Sequence, residues 1–150
     1  MRQLRILKQG VWYEIRTCIN NREPLFRRYK ALRMFARVFH ETTMRFAFKI
    51  RRLRLENAML TFYIRPQDGQ ELPAIMKWLK QTFAQRYNRQ ERRSGHIWGD
   101  RYWSRIVEGE PPEDEEWEGL NTEVRPYGEK NEEHPWFPLR FPFPMAPVPG

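Results

Sequence analysis

The sequence predicts an α+β domain over about residues 8–107, with elements in the order β-α-β-β-α-β. Two long stretches carry apolar residues at three-to-four spacing, and each follows a turn signal, which predicts two helices. Four short stretches are rich in β-branched and aromatic residues, which predicts four strands. In this order the strands make a split βαβ unit, an antiparallel sheet with both helices on one face, the ferredoxin-like plan.

The first strand is Val11–Cys18, V-W-Y-E-I-R-T-C. Asn20, Asn21 and Pro24 mark a turn, because Asn tolerates unusual dihedrals and Pro fixes φ. Phe26, Tyr29, Leu32, Phe35, Ala36 and Phe39 then line one face of a helix from Leu25 to about Met44, with Lys30, Arg33 and Arg37 off that face. Phe46–Ile50 starts the second strand and Ala58–Ile64 makes the third, so Arg51–Asn57 is assigned to their connection. Pro66, Gln67, Asp68 and Gly69 close the third strand. Pro73 suits the first turn of a second helix, in which Leu72, Ile75, Met76, Leu79, Phe83 and Tyr87 share one face. Gly95 ends the basic exit from that helix, and Arg101–Val107 supplies the fourth strand.

Charge is distributed unevenly around a net +8. Residues 1–107 hold 24 Lys/Arg and 8 Asp/Glu, whereas residues 108–150 hold 3 and 11. A basic body followed by an acidic tail favours a polyanionic partner. The tail, 108–150, is expected to be disordered. Its prolines at 135, 138, 142, 144, 147 and 149 interleave with Trp136, Phe137, Phe141 and Phe143, which excludes helix and central strand. Cys18 is the only cysteine, so no intrachain disulfide forms, and a packed small residue in a reducing compartment is expected. Charges interrupt residues 1–16 too often for a secretory leader, and no apolar run has the length of a membrane span. The expectation is a cytoplasmic protein without a membrane partner.

Phe83–Arg105 concentrates cations, rings and a tyrosine. Arginine forks suit phosphates, and rings stack on unpaired bases. Arg51, Arg52, Arg54, Arg86, Arg89, Arg92, Arg93, Arg101, Arg105 and Trp98 are therefore candidate DNA contacts. Tyr102 and Trp103 are further stacking rings, but as strand neighbours they cannot share a face. Other chemistries find no pattern. Ser94 and Ser104 lie in no G-x-S-x-G elbow, no Gly-rich phosphate loop occurs, and one cysteine cannot make a C-x-x-C pair.

Several runs carry a family resemblance: R-P-x-D-G-x-x-L at Arg65–Leu72, A-I-M-K-W-L-K at Ala74–Lys80, A-Q-R-Y-N-R at Ala84–Arg89 and S-G-H-I-W-G-D-R-Y at Ser94–Tyr102. Together with L-R-I-L-K-Q-G-V-W-Y-E-I-R near the start, these resemble the REP-associated tyrosine transposases, single-tyrosine members of the HUH class, over about residues 1–107. The resemblance implies a ferredoxin-like domain that binds single-stranded or hairpin DNA, as a monomer or a homodimer, in DNA transposition and recombination. It implies strand cleavage by a helix-borne tyrosine, forming a 5′-phosphotyrosine link. It also implies Mg²⁺ or Mn²⁺ held by two histidines flanking one hydrophobic residue on a central strand. Residues i and i+2 of a strand share a face, so two imidazoles there can grip one ion that polarises the phosphate.

The sequence departs from this pattern at the ion. By alignment on Arg65-Pro66, the two histidine positions hold Met59 and Thr61. Thioether and hydroxyl are poor ligands for a hard divalent ion. His40, His96 and His134 are not spaced to replace the pair. No metal or cofactor is therefore assigned, and impaired cleavage is expected. Tyr87 matches the nucleophile region, while Phe83 occupies another position where family members carry tyrosine. Two roles stay open for Tyr87: nucleophile, or a ring that caps the core. A non-catalytic nucleic-acid-binding module and an inactive insertion-element remnant stand as alternatives to an active transposase.

Overall fold

The computed structural model describes residues 10–67, 69–112 and 116–118. Strand β1 (Trp12–Cys18) leads through two short 3-10 turns into helix α1 (Tyr29–Arg45). Strands β2 (Phe48–Glu56) and β3 (Met59–Pro66) form a hairpin, followed by α2 (Leu72–Glu91), β4 (Trp103–Val107) and β5 (Glu116–Glu118). The sheet order is β4-β1-β3-β2-β5, and every neighbouring pair is antiparallel. The first four strands and two helices are the ferredoxin-like plan that the sequence predicts.

Alternation builds the core. Tyr13, Ile15, Leu60, Phe62 and Ile64 are buried, and they pack against Leu32, Phe35 and Phe39 of α1 and Ile75, Leu79 and Phe83 of α2. Phe26, Phe35 and Phe83 meet at ring-centroid distances of 5.8–5.9 Å, in tilted or edge-on contacts that add to their buried area. Helix α2 carries Pro in its first turn and ends at Arg92, which takes the left-handed conformation with φ 53°. The Arg93 amide then donates to the Asn88 carbonyl at 2.8 Å and closes that end.

Three expectations are corrected. The α-helix begins at Tyr29, not Leu25, because Pro24 leads into a 3-10 turn at Leu25–Arg27. Leu25 and Phe26 are still fully buried, so the apolar spacing is kept by a tighter turn. Arg51–Glu56 belongs to β2, and the connection is the two residues Asn57 and Ala58. A register shift between Arg51 and Arg54, with Arg52 at φ 53°, inserts an extra residue into the strand. Lastly, the sheet does not end at 107. Pro111 is buried, and β5 pairs with β2 through Lys49↔Glu118, Ile50↔Trp117 and Arg51↔Glu116. The outer edge of β2 would otherwise present unpaired backbone groups. The proline run at 135–149 lies outside the described residues.

Candidate nucleic-acid interface

Both helices cover one face of the sheet, so the other face carries the side chains that alternate away from the core. Register aligns them in rows. Arg16 on β1 lies between Trp103 on β4 and Thr61 on β3, and Arg54 on β2 stands opposite Thr61. Neighbouring strands lie about 4.8 Å apart, so the row Trp103–Arg16–Thr61–Arg54 is about 14 Å long. Trp103 is 45% exposed, and the Arg16 guanidinium sits 4.7 Å above its ring. The next row is Arg105, Glu14, Tyr63 and Arg51. Glu14 accepts from Arg105 at 2.6 Å and from Arg16 at 3.1 Å. Burial pushes the Glu14 carboxyl up, but the two guanidiniums together outweigh that and hold it below the usual carboxylate range.

Met59 and Thr61 lie on this same open face, two residues apart. They border a depression of about 400 Å³ lined also by Arg22, Glu56, Asn57 and Ala58. Cys18 and Glu56 stand opposite Met59 on the two flanking strands. Glu14, two rows away, is engaged by Arg105 and Arg16. Among the described residues no three His, Cys, Asp or Glu side chains gather into a metal-binding group. A hard divalent ion does not fit this donor set.

Tyr87 is on the opposite side of the sheet. It is 0% exposed and belongs to the core cluster with Leu60 and Phe62. Its ring stacks on Phe83 at 5.7 Å, and the Arg93 guanidinium covers it from 5.7 Å. The buried hydroxyl makes no well-formed hydrogen bond, although Arg93 interacts with it electrostatically. Its burial and its stack on Phe83 are those of a ring that caps the core. Strand alternation sends Met59 and Thr61 away from the helices, while Tyr87 points into the layer beneath Leu60 and Phe62. Within this chain, Tyr87 and the Met59–Thr61 pair lie on opposite sides of the sheet.

The predicted DNA contacts divide between these faces. Arg54 and Arg105 reach the open face. Arg51 is only 16% exposed: it pairs with Glu110 at 3.2 Å, donates to the Pro111 carbonyl at 3.3 Å and covers the Trp12 ring. Arg52 is half-buried at the irregularity in β2. Arg86 makes a two-pronged pair with Glu41 that ties α2 to α1. Arg93 binds Glu23 at 2.7 Å. Arg89, Arg92 and Arg101 are exposed on the helix side and the following loop. Trp98 is corrected to a core residue. It is 8% exposed, bridges to Ile19 and donates Nε1–H to the Lys80 carbonyl at 2.9 Å.

The Ser94–Gly99 segment is thereby structural. Ile97 accepts from the Asn20 amide at 2.7 Å, Cys18 accepts from Gly99 at 2.8 Å, and the Asn88 side chain donates to Gly95 at 3.0 Å. Gly95 has φ +92°, which L side chains rarely adopt. Arg16, Arg65 and Lys49 were missed as candidates, although alternation against Ile15, Ile64 and Ile50 places each of them on the open face.

Residues 8–115 match the family described as Transposase IS200 like. No curated protein matches the sequence. Among solved structures, the fold resembles a REP-associated tyrosine transposase bound to a REP hairpin, with TM-score 0.54 and 14% identity over 73% of this chain. This chain spans 64% of that protein's length. It also resembles a protein from Deinococcus radiodurans R1 assigned as a transposase, with TM-score 0.51 and 15% identity, covering 71% of this chain and 86% of the other. At identities this low the structural likeness shows a shared fold and nothing more. No helix among the described residues is long and apolar enough to cross a membrane.

Proposed function

We propose that this chain, which belongs to the IS200-like transposase family, binds single-stranded or hairpin DNA on the open face of its sheet and does not cleave it through Met59, Thr61 and Tyr87. The observation that carries the reading is the row Trp103–Arg16–Thr61–Arg54. It offers an exposed ring for an unpaired base and guanidiniums on either side of Thr61 for the phosphates. The same row lacks an ion-holding pair and faces away from the only helix tyrosine of α2. A working location in the cytoplasm is part of this proposal, supported by the single cysteine and a DNA partner.

Fluorescence anisotropy with a labelled hairpin carrying single-stranded flanks tests binding. Affinity falls with salt by about 0.7 log unit per phosphate contact for each tenfold increase. The pair of substitutions Arg16→Glu and Arg54→Glu weakens binding and flattens that slope. Salt-independent binding, or binding untouched by the two substitutions, overturns the proposal. Incubation with Mn²⁺ tests the chemistry. A covalent protein–DNA band that disappears in Tyr87→Phe overturns the non-cleaving half of the reading.

A further inference from the structure

A groove of about 760 Å³ runs between α2 and the loop that follows it, away from the open face of the sheet. Met76, Ile97 and Trp98 supply its apolar lining, and Tyr102 stands at its side. Lys77, Lys80 and Arg101 border it, and no Asp or Glu lines it. Lys80 Nζ lies 5.4 Å from the Trp98 ring centroid and 5.8 Å from that of Tyr102, so a cation and two rings are combined at one place. Aromatic-lined grooves of this kind take proline-rich segments, whose preformed extended shape lowers the entropy lost on docking.

We infer that this groove is the docking site of the chain's own proline- and ring-rich segment, residues 129–149. That segment carries Pro135, Pro138, Pro142 and Pro144 interleaved with Trp136, Phe137, Phe141 and Phe143. Glu129, Glu132 and Glu133 open the segment and, against its Lys130 and Arg140, leave it net negative, which complements Lys77, Lys80 and Arg101. Chain length permits the contact. Residue 135 follows the end of β5 by 17 positions, a reach of about 55 Å when extended. The sheet from β5 to β4 is only about 20 Å across. Docked there, the segment covers Lys77, Arg101 and the half-buried Tyr102 and leaves the row around Arg16 open, so the contact is independent of DNA binding.

Photocross-linking in the full chain tests this without DNA. Benzoylphenylalanine replaces Gln81, an exposed residue on the groove wall, and in a control replaces Arg37 on the outer face of α1. The expected result is a cross-link from position 81 to a peptide within 129–149, in the monomer band. Its yield falls several-fold in high salt and in the Lys80→Glu, Arg101→Glu background. Position 37 gives no such product. Three results overturn the inference: no cross-link to that segment, equal yield from position 37, or a product confined to a cross-linked dimer, which would place a second copy in the groove.

Discussion

The two faces of this sheet are made from the same strands but use their residues oppositely. On the covered face, Leu60 and Phe62 meet the rings of Phe83 and Tyr87 and exclude water. On the open face, Met59 and Thr61 alternate with them and remain reachable. The cleavage that the resemblance implies would bring a tyrosine hydroxyl and an ion to one phosphate. In this chain the tyrosine of α2 is on the covered side, and the ion position on the open side holds a thioether and a hydroxyl. The difference separates a face that stays reachable from a ring that is fully packed.

The largest effect is expected at Tyr87. Tyr87→Ala removes a fully buried ring and should cost about 3–5 kcal/mol in denaturant unfolding. Tyr87→Phe keeps the stack on Phe83 and removes a hydroxyl that lacks a well-formed hydrogen bond, so stability should hold or rise slightly. DNA affinity should not change in Tyr87→Phe. A large loss of stability in that variant would show that the hydroxyl is tied into the core.

Trp103 is the counterpart on the open face. Trp103→Ala should leave the unfolding transition almost unmoved, because the ring is 45% exposed. It should weaken single-strand binding by about 1–3 kcal/mol if a base stacks there. Trp98→Ala should do the reverse, destabilising the fold through the lost contacts with Phe26 and Phe83. Anisotropy and thermal melts on the two variants separate a gripping ring from a packing ring.

How much of this was legible in the sequence follows from the same contrast. The second helix could be read because Leu72, Ile75, Met76, Leu79, Phe83 and Tyr87 keep one period. That spacing already put Tyr87 among the core residues; the nucleophile reading required it to leave a face it shares with Phe83. The second half of β2 could not be read. Phe48 and Ile50 alternate, then the extra residue at the Arg52 irregularity moves the buried positions to Leu53 and Leu55. The turn at Asn57 is hidden too: Asn57 takes a positive φ of 48° with no Gly or Pro to mark it. Trp98 sits in an irregular loop, where no period tells a packed ring from an exposed one. The partners of Arg86 and Arg93 are 45 and 70 residues away, beyond any local pattern.

Those two ion pairs predict a smaller, pH-dependent effect. The hydrogen bond from Arg93 holds the Glu23 carboxyl below its ordinary range, and that from Arg86 does the same to Glu41. A carboxyl lowered in the folded state stabilises above its unfolded pKa, and that contribution fades as pH falls through the folded one. Stability should therefore drop on acidification through the carboxylate range. Both pairs are partly exposed and screened, so each is worth about 1 kcal/mol or less. Glu23→Gln should remove part of the acid-side slope in melts taken as a function of pH. An unchanged slope would mean that the Arg93 contact is not held in solution.

The smallest expected change in stability accompanies the most direct test of the contrast. Met59→His with Thr61→His places two imidazoles at i and i+2 on the open face of β3. Neither position is buried, so the melting transition should move by less than about 0.5 kcal/mol. Cobalt(II) absorption and calorimetry should reveal a divalent-ion site absent from the parent, since imidazole suits such ions where thioether and hydroxyl do not. Even when loaded, this variant should form no covalent adduct with hairpin DNA, because Tyr87 remains beneath the sheet. An adduct lost on further substitution of Tyr87→Phe would mean that the helix can deliver its tyrosine to the other face, and the separation drawn between the two faces would fail.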